Sequence, residues 1–365
     1  MILMNNFKAE PEELLQNELA AVEGVLRSGW YVLGDEVKKF EARWAAYCQL
    51  PHAIGVGNGM DAIEIGLRAV DIGPGDEVIT TAMTAFATIL AVLRAGATPV
   101  LADIDPDTGL LSIDSVKRCL SSRTKAVLLV HLYGHIHLMN EWEALCRNAD
   151  IALLEDCAQA HGARWDDKVA GSFGIWGAYS FYPTKNLGAR GDGGALVTGS
   201  AKIAERARVL RNYGQSERYS HSVLGLNSRL DELHAAMLAI RLTWLDRFTL
   251  RRREIADVYQ RRINNKNVCL LTKPVTDCNH THHLFVILSK ERDRLARYLK
   301  AAEIDSLSHY PIPIHRQTPC VNIARDPGGL PHAERHATEC LSIPCHPQMN
   351  NADVEKVVET LNAFN

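Results

Sequence analysis

Apolar residues recur at helical spacing over the first fifty positions. Leu15, Leu19, Val22 and Leu26 fall on one face of a helix that opens at Pro11 and runs to about Arg27, with Gly29 as its stop. Val37, Phe40 and Trp44 mark a second helix from about Asp35 to Tyr47. From residue 52 the period changes. Short apolar runs follow one another: HAIGVGN, DEVITT, TPVLADI, KAVLLVHL, IALLED, GAYSFY and GALVTG. Several are apolar at nearly every position, as strands buried on both faces are. Helical stretches such as Asp61–Val70 and Thr88–Ala95 separate the early runs. The alternation predicts an open α/β sheet, mostly parallel, with helices on both sides. Ligands of such sheets sit beyond the carboxyl ends of the strands.

The second half reads differently. One long helix is predicted from about Ser228 to Asp257, with the basic run Arg251–Arg253 on its solvated face. Beyond about residue 265 the pattern becomes α+β. HHLFVIL and IDSLSHYPI read as strands, and ERDRLARYLKAAEI as a helix with Leu295, Leu299 and Ala302 inward. NADVEKVVETLNAF closes the chain as a helix capped by Asn351 or Asp353. The expected organisation is a large unit over 1–250 and a smaller α+β unit over 251–365.

Composition narrows the function classes. The 365 residues are 47% apolar and 23% charged, with a formal net charge of −3. No dominant basic surface is expected, so neither nucleic acid nor an anionic membrane is an expected partner. The start, MILMNNFKAEPEE, lacks the apolar core of a secretory signal, and no run is long enough to span a bilayer. Nine scattered cysteines without a CxxC pair suit reduced thiols, so a cytoplasmic location is expected. His280, His282 and His283 in NHTHH have no second ligand cluster nearby, and no metal is expected.

Three segments carry candidate chemistry. In GVGNGMDAIEIGL, a strand ends in glycines and a helix begins near Met60. Backbone N–H groups there could hold an anion, or the segment could be a plain glycine turn. In IALLEDCAQAHGA, Asp156 ends an apolar strand, with Gln159 and His161 close behind. It is either a helix cap or a carboxylate that pairs with a cationic ring nitrogen. In SFYPTKNLGARGDGGAL, Lys185 sits between a proline-threonine pair and a glycine-rich tail. Alone it could be a loop lysine bonding a helix terminus. The three together suit pyridoxal phosphate, which needs a phosphate site, a carboxylate at the ring nitrogen and a lysine for its aldehyde.

Longer motifs make the likeness specific. GNGMDAIEIGLRAVDIGPGDEVITT, LLEDCAQAHGA, YSFYPTKNLGARGDGGALVT, LRNYG, GLNSRLDELHAA, HHLFVIL, HYPIPIHRQ and LSIPCHPQM occur in order along nearly the whole chain. The chain resembles the fold-type-I pyridoxal-phosphate enzymes, and among them the DegT/DnrJ/EryC1 family of nucleotide-sugar aminotransferases. The resemblance implies that Lys185 holds the cofactor covalently and then acts as acid and base. It implies that Asp156 pairs with the ring nitrogen and that Gln159 lies near the phenolic oxygen. Ser180 and the backbone at Gly59 and Met60 would hold the phosphate. Asn227 and Arg229 would reach the partner subunit's site, to the phosphate and the substrate respectively. His309 and Tyr310 would meet the nucleotide-sugar. Two positions depart from the family pattern. Met60 stands where a threonine is usual, and Ala85 stands where an aromatic residue usually stacks on the ring. Either the loop shifts so that Phe86 stacks, or another group covers that face.

The function so implied is amino transfer from L-glutamate to a nucleotide-linked keto-deoxyhexose, in a homodimer with shared sites and with pyridoxamine phosphate as the intermediate form. HYPIPIHRQ leans toward carbon 3 of a dTDP-3-keto-6-deoxyhexose; carbon 4 of a dTDP- or UDP-4-keto sugar is the alternative. Rivals of other classes are a sugar dehydratase on the same cofactor, whose relatives replace the lysine, and a non-enzymatic regulator.

Overall fold

The computed structural model describes residues 1–365. The seven apolar runs form strands β1 (His52–Val56), β2 (Glu77–Thr81), β3 (Thr98–Ala102), β4 (Thr124–Val130), β5 (Ala152–Asp156), β6 (Gly177–Ser180) and β7 (Gly194–Thr198). They lie in the order β1-β7-β6-β5-β4-β2-β3, and the short strand Ala324–Arg325 adds an edge beside β3. Pairing is parallel throughout except where β7 runs antiparallel to β1 and β6. Both faces are covered. Val127 and Leu129 of β4 pack into the core on one side, and Ala126 and Leu128 into the core on the other.

This register assembles the site. Gly194 lies opposite Val56 on one side and Ser180 on the other. Asp156 lies opposite Ala178. The ends of β1, β5 and β6 therefore open on one edge, as expected for an open α/β sheet. The helices after β1 and β2 begin earlier than their apolar periods do, at Gly59 and Phe86.

Several expectations are corrected. The long helix is two, Glu232–Leu242 and Leu245–Arg262, separated by a turn at Thr243 and Trp244. The turn lets Leu238 and Leu245 pack under the large sheet, while Ile255, Ala256 and Tyr259 enter a separate core with Phe285, Ile287, Leu341 and Ile343. Arg252 does not face solvent: it is 5% exposed, in contrast to the solvated face expected for Arg251–Arg253. The segment IDSLSHYPI is not a strand. It makes only isolated bridges, Ile304 to Ile2 and Leu307 to Ser342, and Pro311 and Pro313 remove the donors a ladder needs. The small sheet consists of Cys269–Leu270, Phe285–Leu288 and Cys340–Ile343. The final helix, Asn351–Asn362, is capped by Asn350, with Asp353 completing a reciprocal capping box.

The first helix spans Glu12–Ser28, with Pro11 at its cap. Its buried face is Leu14, Glu18 and Val25, whereas Leu15, Leu19 and Leu26 are exposed. Glu18 decides this orientation. It is drawn inward by Arg190 at 2.5 Å and Arg241 at 2.9 Å. The apolar stripe is left bare on the outside.

Candidate active site

Lys185 lies in a loop that closes on itself. Its N–H donates to the Tyr182 carbonyl at 2.8 Å, and the Ala189 N–H donates to the Phe181 carbonyl at 2.7 Å. A side chain at Gly188 would come within 2.3 Å of the Pro183 oxygen, so only glycine lets the loop fold this tightly. Phe181 anchors it, with ring centroids 5.3 Å from Phe40 and 5.7 Å from Trp44. The loop thus rests on the second helix, Asp35–Tyr47. Burial pulls the Lys185 ammonium down to about 8, with Asp156 pulling the other way.

Asp156 is buried at the end of β5. Burial raises its pKa, opposed by the Ala158 N–H, the Thr88 hydroxyl and the Lys185 charge. The Ala158 N–H donates to Oδ1 at 3.1 Å and the Thr88 hydroxyl to Oδ2 at 2.8 Å. Thr84 pairs with Thr88 at 2.8 Å behind it. No arginine neutralises this carboxylate. A cationic ring nitrogen would meet its need for a positive partner.

Gly59 opens the helix Gly59–Ala69, and Asn58 caps it by accepting the Asp61 N–H at 2.8 Å. The N–H groups of Gly59 and Met60 are among those that a helix leaves without internal acceptors. A Cβ at Gly59 would lie 2.7 Å from the Ser180 Cβ, and one at Gly194 would lie 2.4 Å from the Asn58 backbone. The missing side chains leave a cradle of N–H groups beside the Ser180 hydroxyl, suited to a phosphate. The Met60 side chain packs on the core beneath, so only its backbone faces the cradle.

On the other side of Lys185, Gln159 accepts the Tyr133 N–H at 2.6 Å and donates to the Tyr310 hydroxyl at 3.1 Å. Burial and the Asp156 charge push the Tyr310 phenol up to about 12. His309 pairs with the Ser342 hydroxyl at 2.8 Å, and burial, with Lys185 adding, lowers it to about 4. Tyr133 donates to the His309 carbonyl at 2.5 Å. Phe86 and Tyr310 pack against the same core. Phe86 is the first residue of its helix, after Ala85.

Asn227 and Arg229 lie apart from this group. Ser228 between them turns inward and accepts the Gly57 N–H at 3.0 Å. Asn227 is exposed, and Arg229 donates to Asn212 at 3.3 Å and lies over the Tyr213 ring. Thr88 and Tyr133 carry no site role in the sequence reading. Thr84 and Thr88 are four apart in MTAFAT, and their hydroxyls meet across the start of the helix Phe86–Arg94.

The residues present fit pyridoxal phosphate: an amine of depressed pKa, a buried carboxylate lacking a fixed guanidinium, and a glycine-lined helix terminus. Comparison with known proteins agrees. Residues 12–362 match the DegT/DnrJ/EryC1/StrS aminotransferase family. A dTDP-3-amino-3,6-dideoxy-alpha-D-galactopyranose transaminase of Aneurinibacillus thermoaerophilus is 46% identical over 94% of this chain and 94% of its own. A pleiotropic regulatory protein of Geobacillus stearothermophilus is 41% identical over 99% of this chain and 98% of its own. Among solved structures, DesV of S. venezuelae in complex with a ketimine intermediate superposes with a TM-score of 0.95 at 42% identity, covering 99% of this chain and 97% of that one.

Proposed function

This chain belongs to the DegT/DnrJ/EryC1/StrS aminotransferase family, whose cofactor is pyridoxal phosphate, and on that premise we propose that it moves an amino group from L-glutamate to a nucleotide-linked keto-deoxyhexose. The acceptor position we assign is carbon 3 of a dTDP-3-keto-6-deoxyhexose. The observation that carries the reading is the placement of buried Lys185 within electrostatic reach of buried Asp156 at one edge of the sheet, beside the Gly59 cradle. The Aneurinibacillus relative, named for a 3-amino sugar, supports the carbon position.

Pyridoxal phosphate, when bound, supplies an aldehyde that takes up the amine and a cationic ring that draws electron density from the reacting carbon. The chain's own residues do the rest. Lys185, held at about 8, has a substantial neutral fraction near neutral pH and can take a proton and return it. Asp156 would face the ring nitrogen and keep it cationic. The N–H groups of Gly59 and Met60 and the Ser180 hydroxyl would hold the phosphate. Gln159, fixed by Tyr133 and Tyr310, would donate at the phenolic oxygen. His309, neutral at physiological pH, and Tyr310 would line the approach of the sugar. A homodimer is part of the reading, with Asn227 and Arg229 serving the partner's site.

The rivals need less than this. A dehydratase of the kind that dispenses with the lysine would not need Lys185, and a regulator would not need a reactive amine beside a buried carboxylate. The test is incubation of the holoenzyme with L-glutamate and a panel of 3-keto and 4-keto nucleotide sugars, with NMR of the product. A 3-amino sugar and stoichiometric 2-oxoglutarate are expected. A deoxygenated keto sugar without amine, or no turnover of any panel member, would overturn the assignment.

A further inference from the structure

Arg252 is the one strongly buried cation beside the site that no carboxylate answers. Its neighbours Arg190 and Arg241 share two glutamates, Glu10 and Glu18, at 2.5–2.9 Å. Arg252 instead donates through Nη1 alone, to the carbonyls of His282, His283 and Cys345. Its Nε is buried and has no partner. Burial lowers it to about 10, and no acidic side chain offsets that cost. A buried charge is expensive unless paired, so a lone guanidinium of this kind points to an anion that arrives from outside.

Arg252 lines a narrow cleft together with Lys185, Asn186, Asn5, Asn6 and Gln348. Asn186 donates to the Thr281 carbonyl at 3.1 Å, which leaves its buried Oδ1 without a donor. One cleft is therefore lined by a guanidinium with an unused donor, an amide with an unused acceptor, and Lys185. The side of the cleft nearest Arg241 is already neutral, because Glu10 and Glu18 together balance Arg190 and Arg241. The only unmatched charge in it besides Lys185 is Arg252.

We propose that Arg252 receives a carboxylate of the amino donor, through its free Nε edge, and so sets the preference for an anionic amino acid. The proposal rests on the aminotransferase reading above. A planar guanidinium matches a carboxylate with two parallel hydrogen bonds. Arg252 is a donor-binding residue here. The proton transfers stay with Lys185.

The experiment separates the two half-reactions. Arg252→Lys keeps a charge for the carbonyls but loses the fork. Gln348→Glu adds a negative charge to the cleft and leaves every bond of Arg252 in place. Each is loaded with cofactor and compared with wild type for the glutamate half-reaction, for amination of the keto sugar from the pyridoxamine form, and for calorimetric binding of glutarate, an unreactive dicarboxylate. The expected result is a KM for glutamate raised roughly 10- to 100-fold, with glutarate affinity reduced in parallel and the KM for the sugar nucleotide unchanged. Unchanged glutamate KM and glutarate affinity in both variants would overturn the proposal, as would a rise confined to the sugar nucleotide. Should Arg252→Lys lose its cooperative melt, Gln348→Glu decides alone. Wild type that turns over no glutamate would instead strike at the aminotransferase reading.

Discussion

The Thr88 hydroxyl donates to Asp156 Oδ2 at 2.8 Å across the end of the sheet. Thr88 sits on the helix Phe86–Arg94 after β2, and Asp156 ends β5, so the bond ties two separate elements at the floor of the cleft. It lowers the proton affinity of a carboxylate that burial pushes up. Removing it with Thr88→Val therefore raises the Asp156 pKa further. Because the carboxylate must be ionised to pair with a ring nitrogen, the acid limb of the kcat–pH profile should move to higher pH. A loss of roughly tenfold to a hundredfold in rate at neutral pH is expected, the worth of about one hydrogen bond to a charged group. A profile superposable on wild type would show that Thr88 only packs.

Asp156→Asn goes further, since an amide cannot carry the charge. Single-turnover amino transfer should slow on the order of 10²-fold or more while cofactor is still retained. Rates near wild type would reduce Asp156 to the turn-forming residue that its bond to Ala158 by itself suggests.

Lys185 gives a test that needs no sugar. Its ammonium is depressed to about 8 by burial. The neutral amine, which attacks an aldehyde, is the form above that value. Capture of pyridoxal phosphate by the cofactor-free chain should therefore quicken with rising pH and level off past about 8, well below the range of an ordinary lysine. Borohydride reduction and peptide mapping should place the label on Lys185. Label on Lys202, or a rate still climbing through pH 10, would contradict the assignment. Lys185→Ala should abolish turnover and leave the melting temperature close to wild type.

How much of this was readable in advance depends on the distance over which each residue finds its partner. Asp156 and Lys185 stand out because each follows an apolar strand whose end is visible in sequence. All seven strands were legible for the same reason, local apolarity. Arg252 was not, because it looks like the middle of a basic run, and its burial depends on carbonyls of His282, His283 and Cys345 from distant segments. The first helix was assigned the wrong inner face because Glu18, polar in sequence, is neutralised by two arginines over 170 residues away. IDSLSHYPI has strand composition, and only Pro311 within it, Pro313 just beyond, and pairing limited to isolated bridges count against it.

The second helix shows the same effect in its cap. Gly34 offers no side chain, yet the Glu232 carboxylate accepts the N–H groups of Gly34 at 2.8 Å, Glu36 at 2.8 Å and Val37 at 3.0 Å. A carboxylate at a helix N-terminus meets both the orphan donors and the helix dipole. Glu232→Ala strands these donors in a site where Glu232 is 3% exposed. The expected cost is on the order of 2–3 kcal/mol, read as a lowered melting temperature, with Glu232→Gln intermediate. Equal stability of all three proteins would mean that water replaces the cap without penalty.

Assembly is tested by complementation. The first helix presents Leu15, Leu19 and Leu26 to the outside, and Trp30 and Leu224 are exposed as well. An uncovered apolar surface of this kind is costly in a lone chain, and a two-fold contact is the commonest way to cover it. Residues 226–230 alternate in direction. Ser228 and Leu230 turn into their own chain, while Asn227 is exposed and Arg229 lies half-buried along the surface, against Asn212 and the Tyr213 ring. In a two-fold dimer they would serve the partner's cradle, where Arg229 could add a charge-assisted contact to an anion. Lys185→Ala and Arg229→Ala chains should each be inactive as homodimers. Mixed dimers then place both lesions in one site and leave the other intact, so activity should return toward a quarter of wild type at equal mixing, roughly the statistical share for random pairing. If Arg229 serves its own chain, each site of the mixed dimer keeps one lesion. No activity should then return even after subunit exchange is verified by mass spectrometry, and that result would end the trans assignment.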